Sequence, residues 1–172
     1  MHPRDAHTNS SEAAFTIRTS LMPGDLGSIV RLHGVLYALE CGFDPTFEAY
    51  VAVPLADFVR SRNDRDCLWI AEHAGGIVGC IAIVGTSETE AQLRWFLVDP
   101  AARGLGLGSR LLHEAIAFCK RCGYATVFLW TVSELTAAAR RYRSFGFDKV
   151  EEKPGRHWGV SVVEEKYVLA LL

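Results

Sequence analysis

Three glycines stand at every second position in one stretch of the chain. Gly104, Gly106 and Gly108 are interleaved with Arg103, Leu105 and Leu107 and followed by Ser109. Every second residue thus lacks a side chain, so the backbone can approach a ligand closely and adopt φ/ψ values closed to other residues. A strand ending Leu97-Val98-Asp99-Pro100 precedes the stretch, and a helix is predicted from about Ser109 to Gly123. Free N–H groups therefore gather at a helix N-terminus, where the helix dipole also favours negative charge, and phosphate is the natural guest. Three glycines cost about 1 kcal/mol each relative to alanine if the turn has nothing to accommodate.

Two phosphate loops are excluded by the residues that follow. A Walker loop needs Lys-Ser/Thr after its last glycine, and Gly108 is followed by Ser109-Arg110. The dinucleotide pattern GxGxxG would need glycine at 109 or 111, where Ser109 and Leu111 stand.

Other groups could do proton chemistry. Tyr142 precedes Phe145-Gly146-Phe147 at the end of a predicted helix, and His33, Tyr37 and Glu40 share one stripe of an earlier helix at i, i+4 and i+7. Arg140, Arg141 and Arg143 fall on different faces of their helix, which leaves most of them to solvent and one able to reach a phosphate. Cys119 and Cys122 form a lone CxxC on a predicted helix, with no second pair to complete a tetrahedral metal site, so no metal is expected.

The elements that must position these groups follow from periodicity. Phe15 to Ser20 alternates as a first strand, and Asp25 is the expected N-cap of a helix to about Cys41, with Ile29, Leu32, Leu36 and Leu39 facing the core. A second helix runs from Thr46 to about Arg60, disturbed at Pro54. Leu68–Glu72 and Ile77–Val84 read as a hairpin across Ala74-Gly75-Gly76, and a second hairpin leads into a central strand Gln92–Val98. After the central helix come a strand Ala125–Thr131, expected parallel to the central one, and a helix over 136–145. Two final strands, about 147–152 and 162–171, are expected to be joined by a loop over 153–159.

Arg103, Gly106 and Gly108 spell Arg-x-x-Gly-x-Gly after a strand. With Tyr-x-x-x-Gly-Phe at Tyr142 and this order of elements, the chain resembles the GNAT superfamily of N-acetyltransferases from Phe15 to Leu172. More narrowly, the runs HGVLYALECG, LWIAEH, GCIAIV, LRWFLVDPAARGLGLG and FLWT resemble the acetyltransferase half of fusion proteins with a MarR-type DNA-binding half, which this sequence lacks. The resemblance implies an α/β GNAT fold with a mixed central sheet and flanking helices. It implies acetyl-CoA as cosubstrate, its pyrophosphate cradled by the backbone of Arg103, Gly104, Leu105, Gly106, Leu107, Gly108 and Ser109, its pantetheine arm paired with Leu97 and Val98. Tyr142 would be the acid facing the CoA sulfur, and main-chain N–H groups near Phe96 and Leu97 would serve the oxyanion if the central strand bulges.

The base is where the pattern departs. Gln92 stands where many members carry glutamate, and Thr131-Val132-Ser133-Glu134 stands where asparagine is usual. Ser133 or Glu134 could substitute for the asparagine. For the base, His33 and Glu40 rank first, ahead of Glu88, Glu90 and His157. The missing residues also motivate a second reading, a non-catalytic acyl-CoA-binding or sensing module.

Composition bounds the rest. At 172 residues and 49% hydrophobic, residues 14–172 suit one acetyltransferase domain after a disordered tail over 1–13. A formal charge of −2, with 18 basic and 20 acidic residues mixed along the chain, gives no basic stripe for nucleic acid. The polar N-terminus has no signal-peptide core, and no segment approaches the roughly 20 apolar residues of a membrane span, so a cytoplasmic protein is expected. The expected acceptor is a small-molecule amine or a protein amino group, and the C-terminal strands offer an edge for a homodimer.

Overall fold

Apolar residues on both faces of the strands require cover on both sides, and the helices supply it. The computed structural model describes residues 15–171; the tail expected over 1–13 lies outside the described residues. Elements follow in the order β1 (Thr16–Arg18), α1 (Asp25–Cys41), α2 (Thr46–Ser61), β2 (Cys67–His73), β3 (Gly76–Gly85), β4 (Glu90–Val98), a 3-10 turn (Pro100–Ala102), α3 (Leu107–Arg121), β5 (Thr126–Val132), α4 (Thr136–Ser144), β6 (Asp148–His157) and β7 (Val160–Ala170). All seven strands form one sheet in the order β1-β2-β3-β4-β5-β7-β6. Only β4 and β5 run parallel, as the crossover through α3 requires. Among the described residues, no helix is long and apolar enough to cross a membrane.

The sheet is a partition between two apolar layers. Leu68, Ile70, Cys80 and Ala82 pack with Ile29, Leu36, Val51 and Leu55 of α1 and α2. Trp69, Ala71, Ile81 and Ile83 pack with Leu107, Leu111, Leu112 and Ala115 of α3. Alternation along β2 and β3 assigns each side chain to its layer.

Four expectations are corrected. Asp25 does not cap α1: Gly24 holds the N-cap with φ 96° and no side-chain bond. The Asp25 carboxylate instead accepts two bonds from the Arg18 guanidinium at 2.8 Å and one from the Met22 N–H at 2.7 Å, tying β1 to the helix start. Leu39 is 77% exposed, whereas His33 is buried with Ile29 and Leu36. At about 100° per residue, Leu39 lies about 80° from Ile29 while His33 lies within about 40°, so the inward stripe takes in His33 and leaves Leu39 out. α3 starts at Leu107, two residues before the expected Ser109, because Gly106 takes the left-handed N-cap. The loop expected over 153–159 is strand: β6 and β7 pair from Asp148 to His157, and the turn is only Trp158-Gly159, with φ 52° and 81°. Two successive positive φ values match the twist of a tight hairpin. α2 continues through Pro54.

Candidate active site

The site begins with a defect in β4. Ala91 and Leu93 face the α3 layer, but Trp95 and Leu97, of the same parity, face the α1–α2 layer. Strict alternation forbids this unless a residue is inserted. Pairing with β3 supplies the reason: Ala82 opposes Arg94 and Cys80 opposes Leu97, so Trp95 and Phe96 together oppose Ile81. Trp95 has φ 47°, a conformation that a bulky residue adopts only where packing holds it. The Cys80 thiol donates to the Trp95 carbonyl at 3.1 Å, and the Trp95 ring meets Phe58 edge-on at 5.5 Å. The bulge therefore places Arg94 and Trp95 on the same face, with the Arg94 guanidinium 4.8 Å from the Trp95 ring centre.

The second defect is a parting of strands. β4 and β5 pair only from Glu90 to Gln92 with Thr126 to Phe128. Beyond Gln92 each strand keeps just its outer neighbour, and the parallel pair opens toward its C-terminal end. An open cleft fills the gap, walled by Gln92 to Phe96, Leu129 to Val132, Tyr142, and His33 and Tyr37 of α1. A second cavity lies between α1, the end of β4 and α4, and Tyr37 and Phe96 border both.

Arg103, at the start of the glycine loop, and Arg141 border the second cavity. Gly104 and Gly106 have φ 78° and 79°, and an added Cβ would meet nothing within 4 Å at either. Space is therefore open beside them, and only the backbone angle demands glycine. Among the described residues, no backbone carbonyl or side chain accepts from the N–H groups of Gly104 through Ser109. Arg141 of α4 lies against this donor row, since a Cβ on Gly108 would meet its Nη1 at 1.9 Å. A guanidinium at the positive end of a helix, beside unpaired N–H groups, is stabilised only by an anion.

The structure separates the two candidates for the base. His33 lines the cleft that holds Tyr142, whereas Glu40 lines the second cavity, where its Oε1 meets Arg103 Nη2 at 2.7 Å. Arg103 Nε also donates to the Val98 carbonyl at 2.9 Å, so one side chain joins the loop, the strand end and α1. Leu97 and Val98 border the second cavity with it.

His33 is 3% exposed, and its Nδ1 lies 2.8 Å from the Ile29 carbonyl. A carbonyl only accepts, so Nδ1 carries the proton and Nε2 keeps a lone pair. That Nε2 is buried and has no hydrogen-bond partner. Burial outweighs the carbonyl bond and lowers the pKa to about 4. Tyr142 is pushed the other way: burial raises its pKa well above the usual phenol range, and among the described residues its hydroxyl has no bond. One wall thus presents a neutral acceptor and another a protonated phenol.

The remaining candidates lie elsewhere. Glu88 in the β3–β4 turn and Glu90 at the start of β4 lie at the opposite end of β4 from the bulge, where Glu90 accepts from the Thr86 hydroxyl at 3.2 Å. Ser133 donates to Glu134 at 3.3 Å, ahead of α4. His157 sits 3.5 Å from Glu164 on the last hairpin. Cys119 is buried in the α3 layer, and among the described residues no group of three or more His, Cys, Asp or Glu side chains converges as a metal site would require.

Sequence reading missed Arg94 and, in the aromatic wall completed by Tyr37 and Trp158, the contributions of Phe43, Phe47 and Tyr50. The wall comes from α1, the loop after it, α2 and the last hairpin, which only tertiary packing unites. Arg94 had a faint signal as the one charged residue within the strand read from Gln92 to Val98.

Residues 34–147 match the sequence profile of the Acetyltransferase (GNAT) family. An uncharacterized N-acetyltransferase of Schizosaccharomyces pombe is 33% identical over 119 residues, 67% of this chain and 72% of that protein. N-acetyltransferase family 8 member 3 of Rattus norvegicus is 32% identical over 117 residues, 62% of this chain and 51% of that protein, so the match spans about half of the rat protein's length. Among solved structures, a putative acetyltransferase from Salmonella typhimurium with its cofactor acetyl-CoA superposes with a TM-score of 0.71 at 22% identity, over 92% of this chain and 95% of that one.

Proposed function

The chain belongs to the acetyltransferase (GNAT) family and has its fold, and on that premise we propose that it transfers the acetyl group of acetyl-CoA to an amine by direct attack in a ternary complex. The observation that carries this reading is the unpaired N–H row from Gly104 to Ser109 with Arg141 against it, a donor set suited to a pyrophosphate. The loop from Arg103 to Ser109 would hold the phosphates, and Leu97 and Val98 the pantetheine arm. The cosubstrate would supply an activated thioester carbonyl at the parting of β4 and β5.

This chain's own residues would then solve the proton problems. An alkylammonium, with a pKa of about 10, must lose a proton before it attacks, and a thiolate with a pKa of about 8.5 leaves more readily on gaining one. Tyr142, held protonated by burial, would give its proton to the departing sulfur. The His33 Nε2 lone pair, reached through a water, would relay the ammonium proton to solvent, since with a pKa of about 4 it does not hold it. N–H groups at the β4 bulge would serve the oxyanion. Glu40, paired with Arg103, would hold the loop in place.

The test is release of the CoA thiol from acetyl-CoA with a panel of primary amines. Tyr142→Phe should lower kcat about 100-fold while acetyl-CoA binding, followed by calorimetry, persists. Binding without turnover in the unsubstituted chain, with every amine, would favour the sensing module, a reading supported by Gln92 lining the cleft where related enzymes carry a glutamate.

A further inference from the structure

The acceptor cleft carries one cation without a counterion. Arg94 lines it from the central strand and is partly buried. Among the described residues, Arg94 forms no salt bridge and no hydrogen bond, and its guanidinium lies over the face of Trp95. Glu164, the one acid on the cleft wall, has its carboxylate turned to His157 Nε2 at 3.5 Å. Tyr50 faces the same region with a neutral hydroxyl, its pKa raised by burial. A guanidinium in such a place is a fork of donors shaped for a carboxylate.

One side of the wall is aromatic. Tyr37 stacks on Phe47 at 4.5 Å, Phe43 meets Trp158 at 4.8 Å, and Phe47 meets Trp158 at 5.0 Å. These rings pack on one another at stacked, tilted and edge-on angles and present an apolar surface to the cleft.

Position limits the acceptor further. Arg94 is the residue immediately before the bulge, and its guanidinium stays beside Trp95, so a carboxylate bound there lies close to the place where the amine must attack. An amine and a carboxylate separated by one carbon satisfy both demands. We propose that the acceptor is an α-amino acid with an aromatic or apolar side chain, its carboxylate held by Arg94 and its side chain laid against the Phe43–Phe47–Trp158 wall. This deepens the acetyl-transfer reading of the same cleft and rests on it.

The experiment compares L-phenylalanine, L-phenylalaninamide and 2-phenylethylamine as acceptors at fixed acetyl-CoA, followed by thiol release. The amide, whose amine is the least basic of the three, controls for ease of deprotonation. With the unsubstituted protein, phenylalanine should exceed both neutral-tailed analogues in kcat/KM by about 100-fold, chiefly through KM. In Arg94→Met that ratio should collapse to within about threefold, and Arg94→Lys should restore part of it. Binding of N-acetyl-L-phenylalanine by calorimetry, present in the unsubstituted protein and weakened in Arg94→Met, gives a second readout independent of turnover. Equal or better use of phenylethylamine, or a ratio unchanged by Arg94→Met, overturns the proposal while leaving acetyl transfer standing. Absence of turnover with every amine, together with absence of acetyl-CoA binding, overturns both.

Discussion

His33 and Tyr142 show how one process, burial, prepares two opposite proton states. Desolvation disfavours charge, so the imidazole is kept neutral and the phenol is kept protonated. The bond from Nδ1 to the Ile29 carbonyl then decides which ring nitrogen faces the cleft as acceptor. The same burial has a cost in acid. The His33 pKa is about 6.5 in the unfolded chain and about 4 in the folded one, so between those values the unfolded state binds more protons. Stability contributed by His33 is present above pH 6.5 and is lost as pH falls toward 4, to a total of about 3 kcal/mol. Urea unfolding at a series of pH values should show this decline, and His33→Leu should flatten it. An unchanged slope in the variant would assign the acid loss to other groups.

At the scale of elements, two departures from regularity build the site, and each has a local cause. The bulge at Trp95 turns the end of β4 over, bringing Leu97 from one layer to the other and setting Arg94 and Trp95 side by side. The left-handed N-cap at Gly106 starts α3 two residues early, so that Leu107, Gly108 and Ser109 belong to its first turn and keep their N–H groups unpaired. Arg141 reaches that turn because Gly108 has no Cβ. Gly108→Ala removes this approach at a helical position where alanine is otherwise favoured, so stability should change by less than about 1 kcal/mol. Affinity for acetyl-CoA, read by calorimetry, should fall about tenfold, a change of about 1.4 kcal/mol. Unaltered affinity would mean that the phosphates bind elsewhere.

At the scale of the whole molecule, the sheet divides the labour. The α1–α2 side supplies His33 and the aromatic wall, the α3–α4 side supplies the anion site and Tyr142, and the parted strands β4 and β5 connect the two. A ligand that occupies the passage touches both layers and should stabilise them together. Acetyl-CoA at a hundred times its dissociation constant adds about 2.7 kcal/mol, which for a chain of this size raises the unfolding midpoint by roughly 5–10 °C. Thermal unfolding should show this rise with acetyl-CoA and CoA and none with ATP or NADH. A rise with ATP or NADH alone would redirect the anion site to another ligand class.

Much of this was legible in the chain before folding. Glycine spacing after a strand signals an anion loop, because an absent Cβ and a positive φ are properties of the residue itself. Periodicity located the helices and most strands, since each element's apolar face repeats within its own few residues. The tertiary structure decided what depends on residues far apart. A bulge is a mismatch between two strands, so Trp95 could not reveal its φ of 47° until β3 was laid beside β4. Leu39 lost its expected place in the core because exposure depends on what packs against a helix as well as on its own pattern. The parting of β4 from β5, the isolation of Glu40 with Arg103 and the unpaired Arg94 arise in the same way, from where other elements do and do not reach.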